Sequence, residues 1–228
     1  MTLKTIATGS TGNCYVLTSN SGKHLILDAG ISIDEIKKGI NFDVGNVDGC
    51  IITHSHSDHM LSANKIANFS PVWKPFESEH KKLHTHLGCF DVTSFDVPHS
   101  VECRGFLIKV DGLTILYATD AEYIPYDMSS QKIKVMLIEM NYQQKIMDEL
   151  NVDSHIAHTV KGHMSDETTT EFILHNKKYL QNVIFCHYSK SGNLNRGEAM
   201  EELKGKLPTY INTQWAIPGE EVILGCPF

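Results

Sequence analysis

The stretch from Cys50 to His59 reads CIITHSHSDH, an apolar run followed by four metal-capable side chains within six residues. The apolar run has the character of a buried strand. His54 and His56 are separated by one residue, so their imidazoles project to the same side of an extended backbone. Asp58 and His59 follow where the chain can turn toward a second metal. Neutral imidazoles with one hard carboxylate suit Zn²⁺ or Mn²⁺, so the stretch predicts a metal site at the end of a strand.

Further ligand candidates lie downstream in similar contexts. His99 lies in a loop between two strand-like runs. Asp120 follows the apolar run at residues 113–119, and His187 follows the apolar run at 183–186. Strands that each end in His or Asp indicate that several strands finish at one rim and converge on a site there.

In these residues the sequence resembles the metallo-β-lactamase fold superfamily. Seven residues carry the match in order and spacing: His54, His56, Asp58, His59, His99, Asp120 and His187. The resemblance implies two metal ions. The ligands of the first ion would be three imidazoles: His54, His56 and His99. Those of the second would be Asp58, His59 and His187, with Asp120 bridging the two ions.

Segments away from the metal motif resemble the YycJ (WalJ) group of this superfamily, which is similar to RNase Z and to nucleases that cleave phosphodiester bonds. The matching runs are residues 7–13, 25–30, 138–142, 162–165 and 187–190, with Asn193 near by. The phage anti-Pycsar enzymes use the same fold to destroy cyclic mononucleotides. The resemblance therefore implies a metal-dependent phosphodiesterase, with the substrate open between nucleic-acid ends and cyclic nucleotides.

A dinuclear centre of this kind implies roles for several side chains. A water made nucleophilic between two divalent ions, Zn²⁺ in the first place and Mn²⁺ as the alternative, would attack phosphorus. Asp58 or Asp120 would orient this water and accept its proton. His163 precedes a predicted helix start, where backbone N–H groups favour an anion, and would contact the phosphate or protonate the leaving oxygen. Ser165 and Asn193 are further candidates for phosphate contacts.

Other polar residues have two interpretations. Glu139 ends a strand-like run and either orients a ligand histidine or makes a structural salt bridge. His84 and His86 form an H-x-H pair, but within a predicted helix this spacing places them on different faces, so no site is predicted there. His155 and His158 are three residues apart, and no carboxylate accompanies them in the sequence.

Length and composition predict one domain over residues 1–228. A hydrophobic content of 41% with 21% charged residues is ordinary for a globular protein that buries a core. The N-terminus shows no signal-peptide h-region, and no apolar run is long enough to span a bilayer. Six cysteines are scattered without a C-x-x-C pair, which is typical of reduced core residues. We therefore expect a cytoplasmic protein without a membrane partner.

The formal net charge of −7 bears on the substrate, because proteins that track long nucleic acids usually carry a basic stripe. The acidic balance favours, narrowly, a 3′,5′-cyclic nucleotide or another small nucleotide over single-strand ends attacked by a YycJ-like exonuclease. A thioester or lactone hydrolase is a further alternative, although the run at 162–165 would then lack a role. A catalytically silent binding module predicts missing ligands, and none is missing. The fold often completes its pocket from a neighbouring copy, which allows a homodimer.

The order of elements predicts a four-layer αββα sandwich of the α/β class, the metallo-β-lactamase fold. A faint echo between residues 25–29 and 116–121 indicates two β-rich halves, each backed by helices. Ser32 is a predicted N-cap with Glu35 three residues on, and Asp111-Gly112 predicts a hairpin. The predicted strands are 3–8, 14–18, 24–29, 89–93, 104–110, 113–119 and 135–140. The predicted helices are 32–38, 60–69, 77–86, 165–176 and 196–204.

Overall fold

The computed structural model of the chain describes residues 1–77, 83–149, 162–188 and 195–225, which form two β-sheets packed face to face. The first sheet contains β1 (Thr2–Ala7), β2 (Cys14–Thr18), β3 (His24–Leu27), β4 (Val47–Ile51), β5 (Val72–Trp73) and β13 (Glu221–Ile223). The second contains β6 (His84–Leu87), β7 (Phe90–Val97), β8 (Cys103–Val110), β9 (Leu113–Ala118), β10 (Val135–Glu139), β11 (Asn182–Cys186) and β12 (Asn212–Trp215). The strand orders are β13-β1-β2-β3-β4-β5 and β12-β11-β10-β9-β8-β7-β6.

Helices cover the outer face of each sheet. They are α1 (Ile33–Gly39), α2 (Ser57–Met60), α3 (Ala63–Ile66), α4 (Gln144–Glu149), α5 (Asp166–Asn176) and α6 (Arg196–Lys206). Ile36 and Ile66 pack α1 and α3 on the first sheet, and Ile173 and Leu203 pack α5 and α6 on the second. The predicted four-layer sandwich is confirmed. Among these helices, none is both long enough and apolar enough to cross a membrane.

Alternation along the strands builds the layers, because successive side chains of a strand point to opposite faces. In β2, Tyr15 and Leu17 enter the core between the sheets. Cys14 and Val16 of the same strand enter the core beneath α1 and α3. Both faces of the strand are therefore apolar, which explains why the sequence shows nearly continuous apolar runs.

The two sheets share one order of strand directions. In the first, β1, β2 and β3 are antiparallel neighbours and β4 is parallel to β3. In the second, β7, β8 and β9 are antiparallel and β10 is parallel to β9. Asp28 follows β3 and Asp120 follows β9, so corresponding positions of the two halves each supply a carboxylate. The internal echo in the sequence therefore reflects two similar halves.

Local signals in the sequence are confirmed at two turns. Ser32 caps α1 in a capping box: its Oγ accepts from the Glu35 N–H at 3.3 Å, and the Glu35 carboxylate accepts from the Ser32 N–H at 3.2 Å. Asp111 and Gly112 have φ values of 49° and 73° and join β8 to β9. Positive φ at both central residues is the requirement of the tight hairpin turn that was predicted there.

Two predicted helices differ from the structure. The helix predicted at residues 60–69 is reduced to α3 (Ala63–Ile66), because α2 already ends at Met60. The Ser62 N–H bonds to the Ala29 carbonyl at 2.9 Å instead of continuing a helical ladder. The helix predicted at 77–86 is wrong where it is described: His84–Leu87 is strand β6, paired antiparallel with β7. Gly88, with φ of 55°, closes this hairpin. Residues 78–82 lie outside the described part of the chain.

Backbone contacts fix the position of α2. The carbonyls of Asp58 and His59 accept from the N–H groups of Asn13 and Ala29 at 2.8 and 2.7 Å. Gly30 passes so close that a Cβ there would lie 1.6 Å from the Asp58 carbonyl oxygen. A glycine is therefore required at position 30 to let the loop after β3 support the helix that carries Asp58 and His59.

Candidate metal centre

Side chains from several strand ends meet at one edge of the sandwich, as the sequence predicts. His54 follows β4, Asp120 follows β9, and His187 follows β11. They surround a cavity of about 210 Å³ lined by Ser10, His56, Asp58, His99, Ser100, Asp120, His163 and His187. The two serines were not singled out from the sequence, because nothing in their local pattern distinguishes them from ordinary loop residues.

Three imidazoles form the first group of the cluster. The His54 Nε2 and His56 Nδ1 atoms are 2.9 Å apart, and the His99 Nε2 lies 3.4 Å from the same His56 nitrogen. Burial and the neighbouring His59 lower the pKa of His54 to about 2, and burial lowers the pKa of His99. Neutral imidazoles offer lone pairs, so this group has the donor chemistry of a metal site.

The second group contains Asp58, His59 and His187, whose ligand atoms lie within 4.8 Å of one another. Asp120 faces both groups. Its Oδ2 is 3.1 Å from the His59 Nε2 and its Oδ1 is 3.6 Å from the His187 Nε2 in the second group. Towards the first group, one ligand atom each of Asp120, His59 and His54 lie within 4.8 Å of one another. Burial raises the pKa of Asp120, but His187 and His59 outweigh this and hold the pKa well below its usual range. The carboxylate is therefore ionised and faces both groups.

The His187 ring supplies an observation that fits a cation. Its Nε2 is buried and has no hydrogen-bond partner among the residues that the structure describes. A buried polar atom is normally satisfied, so an orphaned nitrogen 3.6 Å from the Asp120 carboxylate is expected where an ion binds. The residues present therefore fit divalent metal ions.

Asp28 orients His59 and was missed as a site residue by sequence reasoning. Its fully buried carboxylate accepts from the His59 Nδ1 at 2.8 Å, from the Thr53 N–H at 2.8 Å, from the Thr53 hydroxyl and from the Tyr117 hydroxyl. Because Nδ1 is held in this way, the Nε2 of His59 faces Asp120. The available signal was an acidic residue after an apolar run, the same one that marked Asp120.

Glu139 plays the corresponding part for two other rings. Its Oε1 lies 2.8 Å from the His187 Nδ1 and 2.7 Å from the His163 Nδ1, and its carboxylate also accepts from the Ala121 and Met164 N–H groups at 3.2 Å. Of the two interpretations of Glu139, the structure supports the one in which it orients a ligand histidine.

His163 lines the cavity without belonging to either group of three. Its ring stacks on His187 at 5.2 Å, its side chain is 19% exposed, and its Nδ1 is 3.7 Å from the Asp120 Oδ1. Burial lowers the pKa of His163, but Glu139 and Asp120 raise it more, to about 9. The structure thus places an imidazole that is anchored by Glu139 beside the predicted ligands.

The backbone is unusual where three of these residues leave their strands. Asp28, Asp120 and His187 have φ values of 57°, 53° and 48°. A positive φ is uncommon outside glycine and costs conformational energy. Asp120 and His187 line the cavity and Asp28 holds His59, so these three backbone positions serve one site. The loop at residues 9–13 adds Asn13, whose Nδ2 lies 3.0 Å from the His59 Nε2.

Ser165, a predicted substrate contact, is not among the residues that line the cavity. Ser165 is buried, and its Oγ accepts from the Thr168 N–H at 3.1 Å as the N-cap of α5. Its contact with a phosphate stays a prediction. Asn193, together with His155 and His158, lies outside the described residues.

Comparison with known proteins agrees with this geometry. A family model described as the metallo-beta-lactamase superfamily matches residues 7–99. Exodeoxyribonuclease YycJ of Bacillus anthracis is 34% identical over 257 residues, covering 90% of this chain and 96% of that protein. The chain belongs to the metallo-β-lactamase superfamily. Exodeoxyribonuclease WalJ of Streptococcus pneumoniae is 26% identical over 222 residues, covering 83% and 82% of the two chains.

Solved structures of proteins with lower sequence identity to this chain show the same fold. YhfI of Bacillus subtilis matches with a TM-score of 0.75 at 15% identity, over 97% of this chain and 98% of that one. Human tRNase Z, short form, matches with a TM-score of 0.66 at 12% identity, over 99% and 100%. Membership of the superfamily makes this protein a metal-dependent hydrolase and implies divalent metal ions at the His and Asp cluster.

Replacing Asp28 should test how the centre is supported. In Asp28→Asn the amide cannot accept from all four donors, so the His59 ring loses its anchor, and we expect zinc affinity to fall about 10- to 100-fold. Competition with a chromophoric chelator measures this affinity. Tyr117→Phe is the matched control, because it removes one donor and keeps the carboxylate. Equal zinc affinity in Asp28→Asn and the unmodified protein would contradict the proposed anchoring.

Proposed function

We propose that this protein is a two-metal phosphodiesterase that shortens DNA strands from an end. The observation that carries the proposal is the shared Asp120: two groups of three ligand atoms flank one ionised carboxylate, with His163 beside it. Two metal ions on either side of a shared oxygen ligand are suited to in-line displacement at phosphorus. The relatives at 34% and 26% identity, both named exodeoxyribonucleases, support DNA as the polymer.

The ligand sets follow the two groups. His54, His56 and His99 would hold one ion, and Asp58, His59 and His187 the other, with Asp120 between them. Zn²⁺ suits this donor set best, and Mn²⁺ is the alternative because Asp120 would offer a carboxylate to both ions. When bound, the ions would supply a nucleophile at neutral pH and offset charge on the phosphate oxygens.

The chain's own groups would position the reaction. Asp120 or Asp58 would orient the attacking water and accept its proton as the new P–O bond forms. His163, whose Nδ1 is occupied by Glu139, has its Nε2 available to contact a phosphate oxygen or to give a proton to the leaving oxygen as the old P–O bond breaks. Ser10 and Ser100 present hydroxyls to the same cavity, and Ser165 and Asn193 remain predicted phosphate contacts.

The surroundings of the cavity favour a strand over an enclosed small ligand. The cavity formed by the described residues is about 210 Å³, below the roughly 300–1,000 Å³ of pockets that enclose a drug-sized ligand. It fits a phosphate group, while the rest of the substrate would lie outside it.

An exposed guanidinium lies next to the segment that follows the predicted ligand His187. Arg196 stacks over the Tyr188 ring at 4.5 Å and lies 5.9 Å from the Trp215 ring. Tyr188 directly follows His187, and its carbonyl lies beside Gly9 in the loop that brings Ser10 to the cavity. A guanidinium held on aromatic rings is pre-organised to bind a phosphate of the strand beyond the scissile bond.

A 3′,5′-cyclic nucleotide is the second candidate substrate, favoured by the net charge of −7. Its phosphate would reach the same centre, but binding of its sugar and base would not depend on the Arg196 platform, which consists of Arg196 over Tyr188 and Trp215. The neighbouring copy that would complete such a pocket in a homodimer is part of this alternative.

Substrate profiling should decide the reaction. We expect the zinc- or manganese-loaded protein to shorten end-labelled single-stranded DNA stepwise, and Asp120→Ala to be inactive because it loses the shared carboxylate. Gel analysis of end-labelled DNA and RNA is run beside chromatography of 3′,5′-cyclic mononucleotides and a thioester and lactone panel. Turnover of the cyclic nucleotides alone would replace the DNA proposal with the second candidate. Hydrolysis of only the thioesters or lactones would overturn the proposal of a phosphodiesterase.

Two substrates with different leaving groups can separate the role of His163 from metal binding. His163→Ala should slow DNA hydrolysis about 10²- to 10⁴-fold, since an alkoxide needs a proton as it departs. Thymidine 5′-(p-nitrophenyl phosphate) should be affected much less, because p-nitrophenolate leaves without one. Steady-state kinetics and bound zinc per chain are measured together, with the exposed His175→Ala as the control. An equal loss on both substrates would rule out proton donation by His163.

The Arg196 platform predicts a salt-dependent effect on polymers. Arg196→Gln should weaken single-stranded DNA binding and reduce the slope of log affinity against log salt by about 0.7, the value for one phosphate contact. Hydrolysis of p-nitrophenyl esters should not change. Lys206→Gln makes the same charge change at the other end of α6, about 15 Å away. Fluorescence anisotropy at several salt concentrations measures both slopes. Equal slopes for the two variants would show that Arg196 does not contact the DNA.

A further inference from the structure

The hairpin of β6 and β7 carries a second cluster of metal-capable side chains: His84, His86 and Asp91. In a helix the H-x-H spacing would separate the two imidazoles, but the structure places both on strand β6. Residues two apart on a strand face the same side, so His84 and His86 share a face. Asp91 lies directly opposite His86 across the antiparallel ladder.

The distances suit a common ion. The two imidazole rings are 4.7 Å apart between centroids, and the His84 Nε2 lies 2.5 Å from the Asp91 Oδ1. One ligand atom from each residue lies within 4.8 Å of the other two. Ligands of one zinc ion are at most about 4.2 Å apart, twice a bond of about 2.1 Å. The side chains of His84 and Asp91 are 47% and 41% exposed, so they can close this difference without moving the core.

We propose that His84, His86 and Asp91 bind one divalent transition-metal ion of the zinc class, at a site separate from the dinuclear centre. Two imidazoles and a carboxylate on one face leave coordination positions open for water. Asp91 lies six residues before Val97 at the far end of β7, about 20 Å along the strand. The site therefore binds its ion whether or not the protein is a nuclease.

Neighbouring residues and strands determine the affinity of this site and the effect of the bound ion. Lys109 lies opposite Asp91 in the register with strand β8 and is exposed. A positive charge at this position would lower the affinity of the site for a cation. Among the strands that the structure describes, β6 is the last of its sheet and is hydrogen-bonded only to β7. An ion held by His84 and His86 on one strand and by Asp91 on the other clamps this edge strand to its neighbour.

Zinc counting tests the site. All proteins carry Cys89→Ser, because Cys89 is an exposed thiol in the hairpin turn. After dialysis against micromolar free Zn²⁺, we expect this background to hold one more zinc ion per chain than the His84→Gln/His86→Gln variant. Asp91→Asn is the second variant, and His175→Gln is the matched surface control, which should keep the full count. Zinc should also slow amide hydrogen exchange of residues 84–87 in the background alone.

The outcomes separate this proposal from the proposed function. Equal zinc counts in the background and in both cluster variants, with no zinc-dependent slowing of exchange, would overturn the site. Loss of one zinc ion from either variant, with circular dichroism unchanged, supports it. The count does not depend on which substrate the dinuclear centre cleaves, so failure of the DNA assay leaves this result standing.

Discussion

The arrangement of the centre depends on the buried carboxylate of Asp28. A carboxylate offers about four lone-pair sites, and here they meet two donors of Thr53 after β4, the ring of His59 on α2 and the hydroxyl of Tyr117 on β9. One charged group therefore joins the first sheet, the ligand-bearing helix and the second sheet. Because its acceptor sites are all occupied by donors, the carboxylate can be buried, and the spacing between the sheets at this edge is set by hydrogen bonds rather than by apolar packing alone.

Much of the fold and of the cluster could be predicted, because both follow from local patterns. The histidines after β4 alternate on an extended backbone, and apolar runs that end in Asp or His deliver those residues to one rim. Asp28 follows an apolar run, as Asp120 does. It was missed because the sequence does not show whether such a carboxylate turns toward a cavity or toward buried donors. The helix expected over residues 77–86 failed because His84–Leu87 gains its ladder only from β7, a pairing closed by Gly88.

Charge is distributed so that the cluster is prepared for cations. Burial keeps the His54 and His99 imidazoles neutral, while the histidines around Asp120 keep that carboxylate ionised. Asp28 holds the Nδ1 of His59 and Glu139 holds the Nδ1 of His187. The Nε2 atoms of both rings are therefore fixed in direction before any ion binds. In the proposed function, Arg196 on its aromatic rings would contact the substrate outside this inner arrangement.

The left-handed backbone at Asp28, Asp120 and His187 has a consequence for transplanting this site. At each of these residues the positive φ turns the side chain away from the alternating directions of the strand. The direction of each ligand or anchor therefore depends on the backbone conformation as well as on the residue type. Asp, Asn and His tolerate this conformation better than branched residues, which narrows what mutation can bring to these positions. A protein engineer who copied only the ligands onto another sandwich would obtain the right atoms aimed in the wrong directions.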